Sequence, residues 1–129
     1  MPSEKYYKTL LLIAEEEIIA AERLSGFHKP QIEIVCYLCH QCVEKSLKAF
    51  LDYHEVNFKH IRDLVEINLD CQTIDISFNR FDVACYMLSE YYFKTRYSRN
   101  LVLIEKDMTD AIDYAKKVLN FVKEMIIEG

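Results

Sequence analysis

One stretch decides the fold of this chain: CHQCVEKSLKAFL, residues 39–51. Four polar side chains in it recur at the spacing i, i+3, i+4 and i+7, which places them on one face of a helix. Apolar residues fill most of the remaining circumference, so we expect a largely buried helix that carries a narrow polar seam. The seam consists of Gln41, Glu44, Lys45 and Lys48. Because a buried polar group without a partner costs roughly 1–3 kcal/mol, the seam predicts contact with water, a neighbouring helix or a ligand.

Length and composition predict one domain over residues 1–129. The chain has 129 residues, 51% of them hydrophobic, which is enough to bury a core. It contains two glycines and two prolines, and away from the chain ends only Gly26 and Pro30 remain to break a helix. Long helices follow from that scarcity. The formal net charge of −5 argues against a broad basic surface that coats nucleic acid.

Hydrophobic periodicity predicts an all-α fold, an up-and-down antiparallel bundle of four long helices plus one short helix. The predicted helices span residues 3–24, about 30–53, 60–67, about 77–94 and 108–126. Pro30 is expected in the first turn of the second helix, and Ser77 or Asn79 is expected to cap the fourth. Residues 68–75 show no sustained period and predict a connection without helix.

The chain has five cysteines, an odd number, which together with the lack of a leader pattern predicts reduced thiols in the cytoplasm. Cys36, Cys39 and Cys42, with His40 between them, raise the question of a metal site. On a continuous helix their sulfurs spread over ~120° and about 9 Å of rise, so core packing is favoured over a metal. We expect no metal and no cofactor. The longest purely apolar run, residues 10–14, is too short to cross a membrane.

Aromatic and cationic residues interleave in YYFKTRYSRN, residues 91–100, at the end of the predicted fourth helix. Such a mixture can stack a base and hold a phosphate. The alternative is that the rings pack the end of the bundle while the cations complement the helix dipole, and composition alone favours this second interpretation. His54 and His60 bracket a loop, where surface or capping roles are favoured. The local sequence shows no catalytic triad and no glycine-rich phosphate loop.

Three motifs taken together resemble the HEPN domain family. They are QCVEKSLKAFL at 41–51, HIRDL at 60–64, and the segment from Tyr91-Tyr92 through Arg96-Tyr97, in which Ser98 follows where the family pattern has Pro. The resemblance covers nearly the whole chain. It implies a five-helix bundle, often a homodimer and frequently partnered with a minimal nucleotidyltransferase. It also implies a ligand-binding set formed by Gln41, Glu44, Lys45, Lys48, His60, Tyr92, Arg96 and Tyr97.

Roles in the family range from nucleotide binding to RNA cleavage, and ribonuclease members carry an Arg followed after four to six residues by His, late in the bundle. Arg96 and Arg99 have no such His, and Arg23 with His28 lies at the end of the first helix. No catalytic residue is therefore predicted. We expect a non-catalytic module that binds a nucleotide, a partner nucleotidyltransferase or both, within a toxin–antitoxin pair. The alternatives are an RNA-cleaving toxin and a purely structural dimerisation module.

Overall fold

The structure, a computed structural model, describes residues 3–58, 63–97 and 102–128. Side chains at 3–5, 94–97 and 127–128 lie outside that description. The described residues form five α-helices and one 3-10 helix, with no strand among them. The helices are α1 Ser3–Ser25, α2 Ile32–Tyr53, α3 Leu64–Ile74, the 3-10 helix Ile76–Phe81, α4 Asp82–Tyr97 and α5 Glu105–Glu128. The predicted all-α bundle of four long helices and one short helix is confirmed.

α2 is the central helix, and it packs against α1, α3, α4 and α5. α1 presents small side chains to the core, with Ala14 and Ala21 fully buried. α5 does the same with Ala111 and Ala115, so the long helices can approach one another closely. Large side chains fill the space between the layers. The largest fully buried ones include Phe50, Phe78, Leu47, Leu51, Leu64, Ile67 and Leu88.

The short third helix lies later in the chain than predicted. α3 begins at Leu64, with Asp63 as its N-cap, and continues to Ile74, so the predicted connection at 68–75 is wrong. Residues 60–62 lie outside the described part of the chain. The buried residues of α3 are at positions 64, 67, 68 and 71, which is helical spacing. One of these four buried residues is Asn68. Because Asn68 is polar, the helical period of this segment was not visible as a hydrophobic pattern.

The predicted cap of the fourth helix and the predicted place of Pro30 in the second are also wrong. The N-cap after α3 is Asp75, not Ser77 or Asn79. The Oδ1 atom of Asp75 accepts hydrogen bonds from the Ser77 N–H at 2.9 Å and from the Ser77 Oγ–H at 2.6 Å. The 3-10 helix that starts there runs directly into α4 at Asp82. Pro30 precedes α2, which begins at Ile32 with Gln31 as its N-cap.

All five cysteines are buried in the core. Burial raises the pKa of Cys36, Cys42 and Cys85 to about 12, so these three remain protonated at neutral pH. In the described part of the chain no three potential metal ligands of the His, Cys, Asp or Glu type lie together. Over those same residues, no helix combines the length and apolar character that a bilayer crossing requires.

Candidate functional site

A cleft of about 480 Å³ lies between α2 and α4, next to the start of α3. We call it the α2–α4 cleft. It is lined by Tyr37, His40, Gln41, Glu44, Asp63, Ser89, Tyr92 and Phe93. Four of these side chains come from α2, three from α4, and one is the N-cap of α3. The rings of Tyr37, His40 and Tyr92 lie together in the cleft, which we call its aromatic end, and Asp63 and Ser89 lie together at what we call its polar end.

The aromatic end is built from rings stacked across the two helices. The ring of Tyr92 lies 4.5 Å from that of His40, with 20° between the planes, and 5.9 Å from that of Tyr37, with 23° between the planes. Tyr37 and His40 are three residues apart on α2, so they share a face of that helix. Phe93, next to Tyr92, is 58% exposed at the mouth of the cleft. Offset and near-parallel rings at these distances form the kind of surface on which a planar group can stack.

The polar end is rich in hydrogen-bond acceptors. Asp63 Oδ1 accepts from the backbone N–H of Val65 at 2.8 Å, and Ser89 Oγ lies 3.5 Å from the same oxygen. The Oε1 atom of Gln41 lies 3.2 Å from Nδ1 of His40. Glu44 supplies a second carboxylate to the lining, and none of the described lining residues is a lysine or arginine. The described lining can thus accept hydrogen bonds from hydroxyl or amino groups of a ligand.

The four side chains of the polar seam on α2 do not all line the same cleft. Gln41 and Glu44 line the α2–α4 cleft. Lys45 turns to α1, where its Nζ lies 3.2 Å from Glu17 Oε2. Lys48 Nζ bonds Glu44 Oε2 at 2.7 Å and lies 5.7 Å from the centre of the Phe58 ring, beside a second cleft. The seam is satisfied by a neighbouring helix at one position and by an ion pair along its own helix at another.

Of the other predicted site residues, Tyr92 lines the α2–α4 cleft. Arg96 and Tyr97 occupy the last turn of α4, and their side chains lie outside the described residues, as does His60. The prediction omitted five residues that line the cleft: Tyr37, His40, Asp63, Ser89 and Phe93. Tyr37 was detectable in principle, because Tyr37, Gln41 and Glu44 are spaced i, i+4 and i+7. Asp63 was not, since its position depends on where α3 packs.

In the Glu17–Lys45 ion pair between α1 and α2, the surroundings of Glu17 disfavour its charged form. Burial raises the pKa of Glu17, and the pairing with Lys45 lowers it by less than burial raises it. Neighbouring Glu44 and Glu16 raise it further. The Oε1 atom of Glu17 is buried and has no hydrogen-bond partner among the described residues. The ionised form is therefore less favourable in the folded protein than in the unfolded chain.

We expect the folded protein to gain stability relative to Glu17→Gln as the pH falls from 7.5 towards 4.5. The folded state holds a proton on Glu17 at a higher pH than the unfolded state does, so this contribution is present at low pH and is lost as the pH rises through the folded pKa. Urea unfolding midpoints of both proteins across this range measure the difference. Glu124→Gln, at an exposed position of α5, is the matched control. A wild type that loses stability relative to Glu17→Gln on acidification contradicts the assignment.

Comparison with known proteins agrees with this architecture. The chain is similar to the crystal structure of ST0689, an archaeal HEPN homologue, with a TM-score of 0.71 and 20% sequence identity over 95% of this chain and 98% of that chain. At this identity the likeness establishes the fold. No curated protein sequence matches the chain. The family model described as HEPN domain matches residues 7–125. With that match spanning nearly all of the helical bundle, the chain belongs to the HEPN domain family.

Proposed function

We propose that this HEPN chain is a non-catalytic module that binds a nucleotide in the α2–α4 cleft. The observation that carries the proposal is the ring stack of Tyr92 with His40 and Tyr37 at one end of that cleft. A nucleobase extends such a stack through its own π-face, and base–aromatic stacking is worth about 1–3 kcal/mol per base. The carboxylates of Glu44 and Asp63 accept hydrogen bonds from ribose hydroxyls or from an amino group of the base.

The charge distribution supports a position of the phosphates at the edge of the cleft. Two carboxylates in the lining repel a phosphate, so the anionic part of the ligand extends towards the cations nearby. Arg96 follows Tyr92 by one helical turn, so the two positions share a face of α4. Lys48 is a second cation next to the lining, since its Nζ lies 2.7 Å from Glu44 Oε2. Lys45 contributes less to phosphate binding than the sequence suggested, because its ammonium group is paired with Glu17.

Isothermal titration calorimetry with adenosine, guanosine, cytidine and uridine monophosphates and triphosphates tests the proposal. Tyr92→Leu, which keeps an apolar side chain but removes the ring, is expected to weaken binding by about tenfold or more. Tyr92→Phe keeps the ring and is expected to retain binding. Tyr86→Leu is the matched control, because Tyr86 lies on α4 outside the cleft lining.

The polar end is tested with Asp63→Ser. Serine can still cap α3 while the carboxylate is lost, so weaker binding with unchanged stability assigns the effect to ligand contact. No heat with any of these nucleotides at millimolar protein overturns the proposal. Cleavage of total RNA by the wild type that disappears in Arg96→Ala also overturns it, in favour of the ribonuclease alternative.

The proposal includes assembly with a second protein, either another copy of the chain or a nucleotidyltransferase, as in a toxin–antitoxin pair. It is supported by three large side chains that α4 leaves exposed on one side: Val83, Tyr86 and Phe93, at 66%, 55% and 58%. Aromatic side chains of this kind are enriched at protein interfaces. Light scattering on the purified chain, of 15.3 kDa, gives the mass of the assembly. A monomer that also fails to bind the neighbouring gene's product overturns this part.

A further inference from the structure

A second cleft, also of about 480 Å³, lies at the opposite end of the polar seam, where α1 begins and α2 ends. We call it the α1–α2 cleft. It is lined by Tyr6, Lys48, Asp52, Val56, Asn57 and Phe58. The α2–α4 cleft and the α1–α2 cleft share no lining residue, although the Glu44–Lys48 ion pair joins their borders. The proposal below stands independently of nucleotide binding.

A helix C-cap shapes this cleft. Glu55 adopts a left-handed conformation with φ of 59°, and its N–H donates to the Asp52 carbonyl at 2.9 Å. The N–H of Val56 donates to the Leu51 carbonyl, also at 2.9 Å, which completes a Schellman motif. A residue other than glycine in this conformation costs roughly 1–2 kcal/mol. The turn directs the chain back over α2 and brings the Phe58 ring within 6.2 Å of the Tyr6 ring.

Among the residues whose side chains the structure describes, no cation pairs with Asp52. Lys48 lies one turn before it and could pair with it, but the Lys48 ammonium group bonds Glu44 on its other side at 2.7 Å. The Oδ2 atom of Asp52 is buried and has no hydrogen-bond partner in the part of the chain that the structure describes. Burial raises the pKa of Asp52, a hydrogen bond from the backbone N–H of Tyr7 lowers it, and the charge of Glu55 raises it.

The rings around Asp52 suit a positive charge. The Phe58 ring already holds the Lys48 ammonium group 5.7 Å from its centre, and Tyr6 is 49% exposed beside it. Aromatic faces attract ammonium and guanidinium groups through the ring quadrupole. Glu44 and Lys48 cancel each other in charge, whereas Asp52 and Glu55 add two negative charges. The charges of the described residues around the cleft therefore favour a cation over a phosphate.

We propose that the α1–α2 cleft binds a small organic cation, with Asp52 as counter-ion to its ammonium or guanidinium group and Tyr6 and Phe58 as the aromatic walls. The cation hydrogen-bonds to the Asp52 carboxylate, which lines the cleft. A charge-assisted hydrogen bond of this kind is stronger than one between neutral groups. The ligand class is a primary amine, a diamine or an alkylguanidine.

Calorimetric titration of the full chain with putrescine and ethylguanidine, at about 0.15 M salt to suppress nonspecific attraction, tests the proposal. Both ligands are expected to bind, while the neutral isostere 1,4-butanediol is not. Asp52→Asn, which keeps the side-chain shape, is expected to weaken binding by about tenfold or more, because a charged hydrogen bond contributes about 1.5–3 kcal/mol. Asp70→Asn, on α3, changes the net charge equally and is expected to leave binding unchanged.

Three further variants test the walls, the charge preference and the location of the site. Phe58→Leu removes one ring and is expected to weaken amine binding by about two- to fivefold. Lys48→Met removes the competing cation and is expected to tighten amine binding, whereas an anion site would lose affinity. Tyr92→Leu is expected to bind putrescine as the wild type does.

No heat with either amine overturns the proposal, and so does Asp52→Asn with wild-type affinity. If Asp52→Asn fails to fold, Tyr6→Leu at a half-exposed position of α1 replaces it, with the same direction of effect expected as for Phe58→Leu. If Tyr6→Leu and Phe58→Leu both keep the wild-type affinity for the amine, the two rings do not contact the ligand, and the proposal is overturned.

Discussion

Phe78→Ala is expected to destabilise the protein by about 3–5 kcal/mol, which is a large share of the 5–15 kcal/mol that holds a typical domain folded. Phe78 lies in the 3-10 helix and is fully buried. Its ring lies 4.4 Å from that of Phe50 on α2 and 5.1 Å from that of Phe121 on α5, edge-on in the second case. One side chain therefore joins three elements, and its removal leaves a cavity between helices that cannot all collapse onto it.

Urea unfolding followed by circular dichroism measures the effect. Phe27→Ala is the control, since Phe27 is 63% exposed in the connection between α1 and α2 and is expected to change stability by roughly 0.5 kcal/mol or less. Phe78→Leu, which fills part of the volume, is expected to fall between the two. A loss below about 1 kcal/mol for Phe78→Ala would mean that the aromatic cluster is not packed as described.

Asn68→Asp is expected to cost about 3–5 kcal/mol at neutral pH, because it places an unpaired charge in the core. Asn68 is 1% exposed, and its Nδ2 donates to the Phe78 carbonyl at 3.1 Å and to Asp82 Oδ1 at 3.3 Å. An aspartate at this position has the same shape but no donor when ionised. It would face a carbonyl oxygen and the Asp82 carboxylate, so the substitution replaces two hydrogen bonds with two repulsions.

The pH dependence of Asn68→Asp distinguishes buried charge from altered packing. Burial and the nearby Asp82 would raise the pKa of the introduced carboxyl in the folded state above its unfolded value. Its destabilising effect should therefore shrink as the pH falls through the folded pKa, since a protonated carboxyl can again donate to the Phe78 carbonyl. Asn120→Asp, at an exposed position of α5, is the control. A cost independent of pH would assign the effect to packing.

The helices α2 and α5 were predictable because their hydrophobic patterns are strong and involve only residues close in sequence. α5 buries Met108, Ala111, Ala115, Val122 and Ile126 at steps of three, four and seven, and no polar residue interrupts that face. α3 was harder to predict, because Asn68 lies on its buried face. The hydrogen bonds that make this placement tolerable come from Phe78 and Asp82, ten and fourteen residues later, and no local pattern contains them.

The candidate site was predictable only in part, for the same reason. The spacing of Gln41 and Glu44 and the aromatic character of Tyr92 indicated surfaces of two helices, and the structure brings these three residues to one cleft. Asp63 reaches that cleft as the N-cap of a helix whose start was predicted elsewhere. The binding role of the cleft remains a proposal.

By itself, the sequence determined that this protein is a bundle of helices, since helical periodicity arises from residues three and four positions apart and needs no knowledge of the partner. It also determined that α2 carries a polar seam. Only the tertiary structure decided how the seam residues are distributed among their partners, because Lys45 pairs with a residue that is distant in sequence. Lys45 pairs with Glu17, 28 residues earlier in the chain. Lys48 pairs with Glu44 and not with Asp52, which lines a separate cleft together with Phe58. Charges separate or pair according to which helices pack together, and that is a property of the folded chain.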